Sequence, residues 1–141
     1  MTAVQGGPVS YLVAYICSFL VIVTIDATWL GTIGPTLYRQ PLREILTPNL
    51  RIAPAVAFYL MYPIGVVTFA VMPALHSESI TNAFGLAALF GAIAYATYDL
   101  TNYATLRNWT LKITVVDIIF GAVLSGVAAA TSFALVSFNA L

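Results

Sequence analysis

The chain has 141 residues, of which 61% are hydrophobic and only 7% are charged. A soluble domain carries about 25% charged residues, so five basic and five acidic side chains are too few to keep this chain in water. The composition therefore predicts a membrane protein with several spans. It also excludes a disordered chain, a disulfide-stabilised secreted domain (Cys17 is the only cysteine) and a nucleic-acid-binding protein, which would need a net basic surface.

Four stretches are apolar for long enough to cross a bilayer, whose core about 30 Å thick needs about 20 helical residues. They cover residues 9–30, 52–72, 80–101 and 113–138. No turns divide them into the strands of about ten residues that build a membrane β-barrel. The predicted fold class is thus an all-α bundle of four transmembrane helices, forming a single membrane domain over residues 1–141. Pro63 lies inside the second stretch and predicts a kink there.

All lysines and arginines lie in or beside two loops on one side of this bundle. Arg39, Arg43 and Arg51 follow the first span, and Arg107 and Lys112 follow the third. Cytoplasmic loops are enriched in Lys and Arg, so this side is predicted to be cytoplasmic, with both termini outside. The first span has no basic residue before it and is too long for a signal-peptide core, so we expect it to stay in the mature protein.

The first of these loops has the pattern of a short amphipathic helix. Apolar residues recur at helical spacing from Tyr38 to Leu46, whereas Arg39 and Arg43 lie on the other face. Pro41 fits the first turn, which limits the helix to about two turns. The pattern predicts an interfacial helix whose arginines contact lipid headgroups, either as a plain surface anchor or as a dedicated lipid-binding site.

Three aspartates lie at a similar depth in the predicted bundle. Asp26 is near the cytoplasmic end of the first span, Asp99 near that of the third, and Asp117 near that of the fourth. A charged group within a membrane is costly and usually faces the bundle interior, where it pairs. We therefore expect the three carboxyls to converge just below the basic loops.

The sequence leaves two interpretations of these carboxyls open. In one, Arg51, Arg107, Lys112 or the loop arginines pair with them and fasten the loops to the bundle. In the other, they line a cavity open to the cytoplasm that binds a cation, a proton or a polar lipid headgroup; two carboxyls that meet without a cation would share a proton. The candidate substrate- or ion-binding residues are then Asp26, Asp99, Asp117, Tyr95, Asn102, Arg51 and Arg107.

One face of the third span carries the polar neighbours of Asp99. Ala87, Gly91, Tyr95 and Asp99 are spaced by four residues, and Asn102 follows three later. The small residues predict a close helix contact, and Tyr95 and Asn102 have the groups to hydrogen-bond Asp99. Four aromatic residues at the same depth fit the aromatic belt of a membrane interface: Trp29, Tyr98, Tyr103 and Trp109.

The fourth span also carries a ridge of small residues, which permits a tight helix crossing. The ridge is formed by Ala122, Gly126, Ala130 and Ala134. Its expected partner is another helix of the same chain, with a second copy or a larger membrane complex as the alternative. Membrane lipids are the other expected partners.

Several common kinds of catalytic site are excluded. His76, the only histidine, lies on the side opposite the three aspartates, which argues against a Ser-His-Asp triad or a zinc site. Lys112, the only lysine, lies at a helix start, which argues against a Schiff-base pigment. No phosphate-binding loop or dinucleotide fingerprint occurs. We therefore expect no metal and no cofactor, and no catalytic residue is identified.

Several segments resemble a known family. They are 26–31 (Asp-Ala-Thr-Trp-Leu-Gly), Tyr38-Arg39, 59–62 with Gly65, 69–75, 95–102 (Tyr-Ala-Thr-Tyr-Asp-Leu-Thr-Asn), and Asp117 with Gly121. Together they resemble a bacterial family of predicted membrane proteins defined as a domain of unknown function, DUF2177. The resemblance covers nearly the whole chain and implies a small bacterial inner-membrane protein. It assigns no activity and no site residue.

Three functional hypotheses follow from these residues. The first is a small binding or transport protein whose carboxylate site faces the cytoplasm. The second is a membrane enzyme acting on lipid headgroups, with an aspartate as general base and arginines holding phosphate, which requires a lateral opening between helices. The third is a non-catalytic subunit or assembly factor that uses the small-residue ridge.

Overall fold

Four long helices form the fold in a computed structural model, which describes residues 6–139. They are α1 (Pro8–Thr32), α2 (Ile52–His76), α3 (Ile80–Thr105) and α4 (Leu111–Asn139). Each is long and apolar enough to cross a membrane, and residues 6–139 contain no strand, which confirms the predicted four-helix membrane fold. The helices extend a few residues beyond the predicted spans; α3, for example, ends at Thr105 instead of Thr101.

The bundle has two distinct ends. The basic end carries the connections 33–51 and 106–110, and the hairpin end carries the short connection 77–79 between α2 and α3. Gly6 lies beside the His76 ring, so the chain enters α1 at the hairpin end. The basic end is the one toward which the three aspartates were predicted to gather.

Helix α4 is the centre of the bundle. Half of its apolar stretch is buried, compared with a third or less in each of the other three helices, and it packs most extensively against α3 and then α1. The contact with α3 is so close that a Cβ atom on Gly91 would overlap the Gly121 carbonyl oxygen. As predicted, the small residues on this face of α3 admit another helix.

The face that α4 turns inward is offset from the predicted ridge. Ala134 is exposed and Ala122 and Ala130 are half-buried, whereas Gly126 is covered by the Phe84 ring of α3. The buried small residues are Gly121, Ser125, Gly126, Ala128, Ala129 and Ser132. Serine is nearly as small as alanine and can form a hydrogen bond to a neighbouring helix. Because the prediction counted only alanine and glycine, it assigned the wrong face of α4 to the helix contact.

Helix α2 changes its neighbours along its length. The backbone of its first part, Ile52–Val66, packs on α1 and reaches α3 only through side chains such as Tyr62, whereas the π-helical turn Val67–Val71 packs closely on α3. Pro63 is buried just before this turn, and since proline donates no backbone hydrogen bond, it marks the point where regular winding gives way. Helices α2 and α3 therefore diverge toward the basic end and leave a groove between them.

A short helix in the loop after α1 covers the basic end. It consists of the π-helical turn Pro35–Arg39 followed by Gln40–Leu42, and we call it the loop helix. Its buried Leu37 and Leu42 form a cluster with Trp109 and Ile113. The predicted helix is present but begins at Pro35 and ends earlier than expected, because Pro35 fits a first turn and the chain turns away after Leu42.

The arginines of this loop are exposed, as predicted. Arg39 lies in the loop helix and Arg43 directly after it, and both are exposed. The apolar residues Ile45 and Leu46, expected within this interfacial helix, lie in the turns that follow it and are exposed. The loop helix is thus held by packing onto the bundle, with its basic groups outside.

Candidate functional site

The three predicted aspartates are all buried at the basic end. Asp26 of α1 and Asp117 of α4 are 8% and 7% exposed, and Asp99 of α3 is completely buried. Each lies six residues from the basic end of its helix (Thr32, Thr105 and Leu111). The three aspartates are therefore equally far, in residues, from the basic ends of their helices.

A tyrosine hydroxyl donates to each of two of these carboxyls. Tyr59 of α2 donates to Asp26 Oδ2, and Tyr38 of the loop helix donates to Asp117 Oδ1. The indole Nε1 of Trp29 in turn donates to Tyr38 Oη at 2.9 Å. A hydrogen-bonded chain from Trp29 through Tyr38 to Asp117 thus joins α1, the loop helix and α4.

Tyr38 lies outside the spans, and its ionisation is suppressed. Burial first, and then the hydrogen bond to Asp117, raise the pKa of the Tyr38 hydroxyl above its usual value of 10. The hydroxyl therefore stays protonated at physiological pH and remains a donor to Asp117.

Asp99 differs from the other two carboxyls. Neither of its oxygens has a hydrogen-bond partner, although the Asp117 carboxyl and the Trp109 indole lie close enough to interact with it. The Trp109 Nε1 is also buried without a partner. Nearly all buried polar groups in proteins are hydrogen-bonded, whereas this acceptor and this donor lie near each other without forming a hydrogen bond of normal geometry.

The expected partners of Asp99 on its own helix do not reach it. Tyr95 and Asn102 lie on the same face of α3, but neither donates to the carboxyl, and Asn102 interacts with Tyr98 instead. Tyr95 packs its ring against Gly121 of α4. Side chains spaced by three or four residues share a face, but this spacing does not fix where their polar atoms point.

The basic residues do not pair with the carboxyls. Arg51, Arg107 and Lys112 are exposed, and none of the partners found for the three aspartates in residues 6–139 is a lysine or arginine. The interpretation in which arginines fasten the loops to the aspartates is therefore wrong for this structure. Long cationic side chains at the bundle end keep their hydration at less cost than in a buried pair.

A cavity of about 490 Å³ opens at the basic end above these carboxyls. Asp26 and Asp117 are its acidic groups, Asn102 also lines it, and no lysine or arginine does. Arg51 and Arg107, expected in the site, lie outside it. Five aliphatic residues and six aromatic residues make up the rest of its wall; the aromatic ones are Trp29, Tyr38, Tyr95, Tyr98, Trp109 and Phe120.

The aromatic walls are packed against one another. The Trp29 and Phe120 rings stack at 4.2 Å with an angle of 15° between their planes, and the Tyr98 and Trp109 rings meet edge to face at 5.5 Å. Trp29 and Trp109 are the only tryptophans of the chain. The cavity wall is thus held by side chains from three helices and the α3–α4 connection.

A second cavity, of about 350 Å³, lies in the groove between α2 and α3. Phe58, Tyr62 and Ala94 line it, and it shares Tyr95, Tyr98 and Asp117 with the first cavity. Tyr62 is fixed there by a hydrogen bond between its hydroxyl and Ser125 Oγ at 2.7 Å. Phe58 and Tyr98 on its wall are exposed, so this cavity opens sideways between the helices.

Sequence reasoning missed the roles of several residues of this site. Tyr38 was assigned to the apolar face of a surface helix, Trp29, Tyr98 and Trp109 to the aromatic belt, and Tyr59 and Phe120 to no role. The spacing of Trp29, three residues after Asp26, does place both on one helix face. No signal in the sequence indicates that Tyr38 folds back onto α4.

The three carboxyls are not equally placed: Asp26 and Asp117 line the first cavity, whereas Asp99 lines neither cavity. No group of three or more His, Cys, Asp or Glu side chains within the described part of the chain is placed to hold a metal ion. Asp99 and Asp117 are neighbours, whereas Asp26 reaches the cavity from α1 beside Tyr59.

A sequence profile of the family described as "Predicted membrane protein (DUF2177)" matches residues 11–134. The chain belongs to this family, which confirms the resemblance seen in its motifs. No curated protein and no solved structure matches the chain.

Proposed function

We propose that this membrane protein binds or transports a small positively charged ligand. The ligand would occupy the first cavity at the basic end, which Asp26 and Asp117 line and which we call the carboxylate cavity. The ligand is a proton, a cation or the charged part of a lipid headgroup. The supporting observation is the charge balance of the site: three buried carboxyls, two of them on a cavity wall without lysine or arginine, and one with no hydrogen-bond partner.

Burying an unpaired charge inside a membrane protein is costly. Carboxyls that lie together in a low-dielectric region need a counter-charge or a shared proton. The Coulomb attraction of a single ion pair at about 4 Å is about 4 kcal/mol at an effective dielectric constant of about 20, from which the cost of removing water from the cation is subtracted. A cation entering from the open mouth of the cavity would supply this counter-charge.

A cation and proton titration of the purified protein in maltoside micelles tests this proposal. Adding sodium chloride, potassium chloride or ethylammonium chloride should raise the unfolding temperature of the wild type for at least one of these salts and release protons. Asp99→Asn and Asp117→Asn should abolish both effects, while Glu44→Gln, an exposed acid at the same end, should keep them. Equal responses of all variants, with reduced stability in the aspartate variants alone, would reject the proposal.

The orientation is part of this proposal. We place the chain in a bacterial inner membrane with the basic end in the cytoplasm, because cytoplasmic loops are enriched in Lys and Arg. On a Cys17→Ala background, Glu78→Cys should react with a membrane-impermeant maleimide on intact spheroplasts, whereas Arg107→Cys should react only after lysis. The reverse pattern would invert the topology.

A second candidate function is modification of a lipid headgroup. The cavity between α2 and α3 provides the lateral opening that such an enzyme needs, and it reaches Asp117, a carboxyl suited to general-base chemistry. The arginines expected to hold a phosphate lie outside both cavities. Lipid mass spectrometry of cells with and without the protein tests this function, and identical lipid profiles would argue against it.

Contact with a second copy or a larger complex through the small-residue ridge stays a separate prediction. Ala134 is its exposed member, whereas Gly126 is already covered by Phe84. Ala134→Leu should therefore dissociate such an assembly without disturbing the bundle, as measured by size-exclusion chromatography with light scattering. A monomeric wild type would remove this prediction.

A further inference from the structure

We infer that the ligand of the carboxylate cavity is an organic ammonium ion attached to an apolar chain, that is, the headgroup of an amine-bearing lipid. The inference rests on the proposed function, since it names the chemical class of the same site's ligand. Three features carry it: the aromatic wall of the first cavity, the unpartnered Asp99 beside Asp117, and the junction of the two cavities.

The aromatic wall favours an organic cation over a metal ion. A ring face attracts a cation, and an alkylammonium ion is less tightly hydrated than a small metal ion, so it gains more from a cavity lined by six rings. A metal ion would need several oxygen ligands around one point. No such grouping of acidic, His or Cys side chains occurs among residues 6–139.

The hydrogen-bonding capacity of the site favours an ammonium group that carries N–H donors. Neither oxygen of the fully buried Asp99 accepts a hydrogen bond of normal geometry, although the Trp109 indole is near, and the Asp117 carboxyl beside it lines both cavities. A primary ammonium has three N–H groups. It can therefore donate to Asp117 and neutralise the Asp99–Asp117 pair at the same time.

The second cavity indicates that the ligand has an apolar part. It begins at Asp117, Tyr95 and Tyr98, which it shares with the first cavity, and continues between α2 and α3 past Ala94 and Phe58. The helices diverge in this region, and both Phe58 and Tyr98 are exposed there. A headgroup seated at Asp117 would thus leave its chain in the groove, in contact with the membrane.

The two tryptophans provide a direct readout, because both line the first cavity. Intrinsic fluorescence of the protein in maltoside micelles is followed during titration with ethylammonium, decylammonium and decyl sulfate. Decylammonium should bind at least tenfold more tightly than ethylammonium, and decyl sulfate should not bind. Asp117→Asn should lose both ammonium responses, whereas Glu44→Gln should retain them.

The groove between α2 and α3 is tested separately from the binding of the ammonium group at Asp117. Ala94→Phe should fill it and reduce decylammonium affinity at least fivefold while leaving ethylammonium affinity unchanged. Ile93→Phe, a lipid-facing substitution at the adjacent position, is the matched control and should change neither. Native mass spectrometry with phosphatidylethanolamine and phosphatidylglycerol of the same chain length should then show preferential retention of the amine lipid, lost in Asp117→Asn.

The possible results distinguish an error in the ligand's identity from an error in the proposed function. Equal affinities for short and long ammonium ions, unaffected by Ala94→Phe, would make the ligand a water-soluble amine and overturn the lipid assignment. Binding of sodium ions or protons without ammonium binding would overturn the whole inference and leave the proposed function standing. No response to any cation or proton would remove the proposed function as well.

Discussion

The two halves of the bundle bury polar groups in opposite ways. In the hairpin half these groups are small and mutually satisfied: Ser18 and Ser132 bond to each other at 2.7 Å, and Ser132 also donates to the Ala14 carbonyl at 3.2 Å. In the basic half they include three carboxyls, of which Asp26 and Asp117 line a cavity and Asp99 has no hydrogen bond of normal geometry. The polar groups of the hairpin half thus link helices to one another, whereas those of the basic half lie where we propose that a charged ligand binds.

The largest expected effect lies where α3 and α4 cross. Gly91→Leu should destabilise the protein by about 3 kcal/mol or more, because its Cβ would overlap the Gly121 carbonyl oxygen and backbone cannot move aside as a side chain does. Unfolding in mixed micelles of increasing SDS content measures this. Gly85→Leu on the same helix is the control, since nothing lies within 4 Å of its Cβ position. Equal stability of the two variants would show that the helices do not cross at Gly91.

In the basic half, removing the Tyr38 hydroxyl should have the next largest effect. Tyr38→Phe leaves Trp29 without its acceptor and Asp117 without this donor, at a cost of about 1–3 kcal/mol. It should also blue-shift tryptophan fluorescence, because Trp29 loses a polar contact. Tyr103→Phe, an exposed tyrosine at the same end, should change neither quantity. If the two variants behave alike, the loop helix does not cover Asp117.

The serine pair of the hairpin half should give a smaller, non-additive effect. Ser18→Ala should cost about 1 kcal/mol, because it leaves Ser132 with only its weaker bond to the Ala14 carbonyl. The double variant Ser18→Ala/Ser132→Ala should cost less than the sum of the two single variants. Full additivity in the same SDS unfolding assay would mean that the two serines do not interact.

The smallest expected effect is a loss of stability at high pH. The raised pKa of Tyr38 means that the folded state holds this proton more tightly than the unfolded state, so the contribution to stability is complete below about pH 10 and decreases as pH rises toward the folded-state pKa. Unfolding temperatures measured from neutral to alkaline pH should therefore decline less steeply for Tyr38→Phe than for Tyr103→Phe. Parallel curves would contradict the burial of the Tyr38 hydroxyl.

Most of the fold could be predicted from hydropathy, because a 20-residue apolar run has few alternatives to a membrane helix. The equal depth of Asp26, Asp99 and Asp117 followed from their positions along those runs. The partners of the carboxyls did not, since they depend on tertiary contacts: Tyr59 comes from the neighbouring span, and Tyr38 from a loop helix whose return onto α4 has no local signal. Charge alone suggested arginine partners, but the arginines stay exposed.

The most direct test of the central claim is an experimental structure of the protein in a membrane mimetic that contains phosphatidylethanolamine. The account predicts density for an ammonium group against Asp117, within the ring of aromatic side chains, and for an acyl chain leaving between α2 and α3 past Ala94. A cavity in which Arg51 or Arg107 folds inward to pair with Asp117 or Asp99, with lipid absent from the groove, would contradict it.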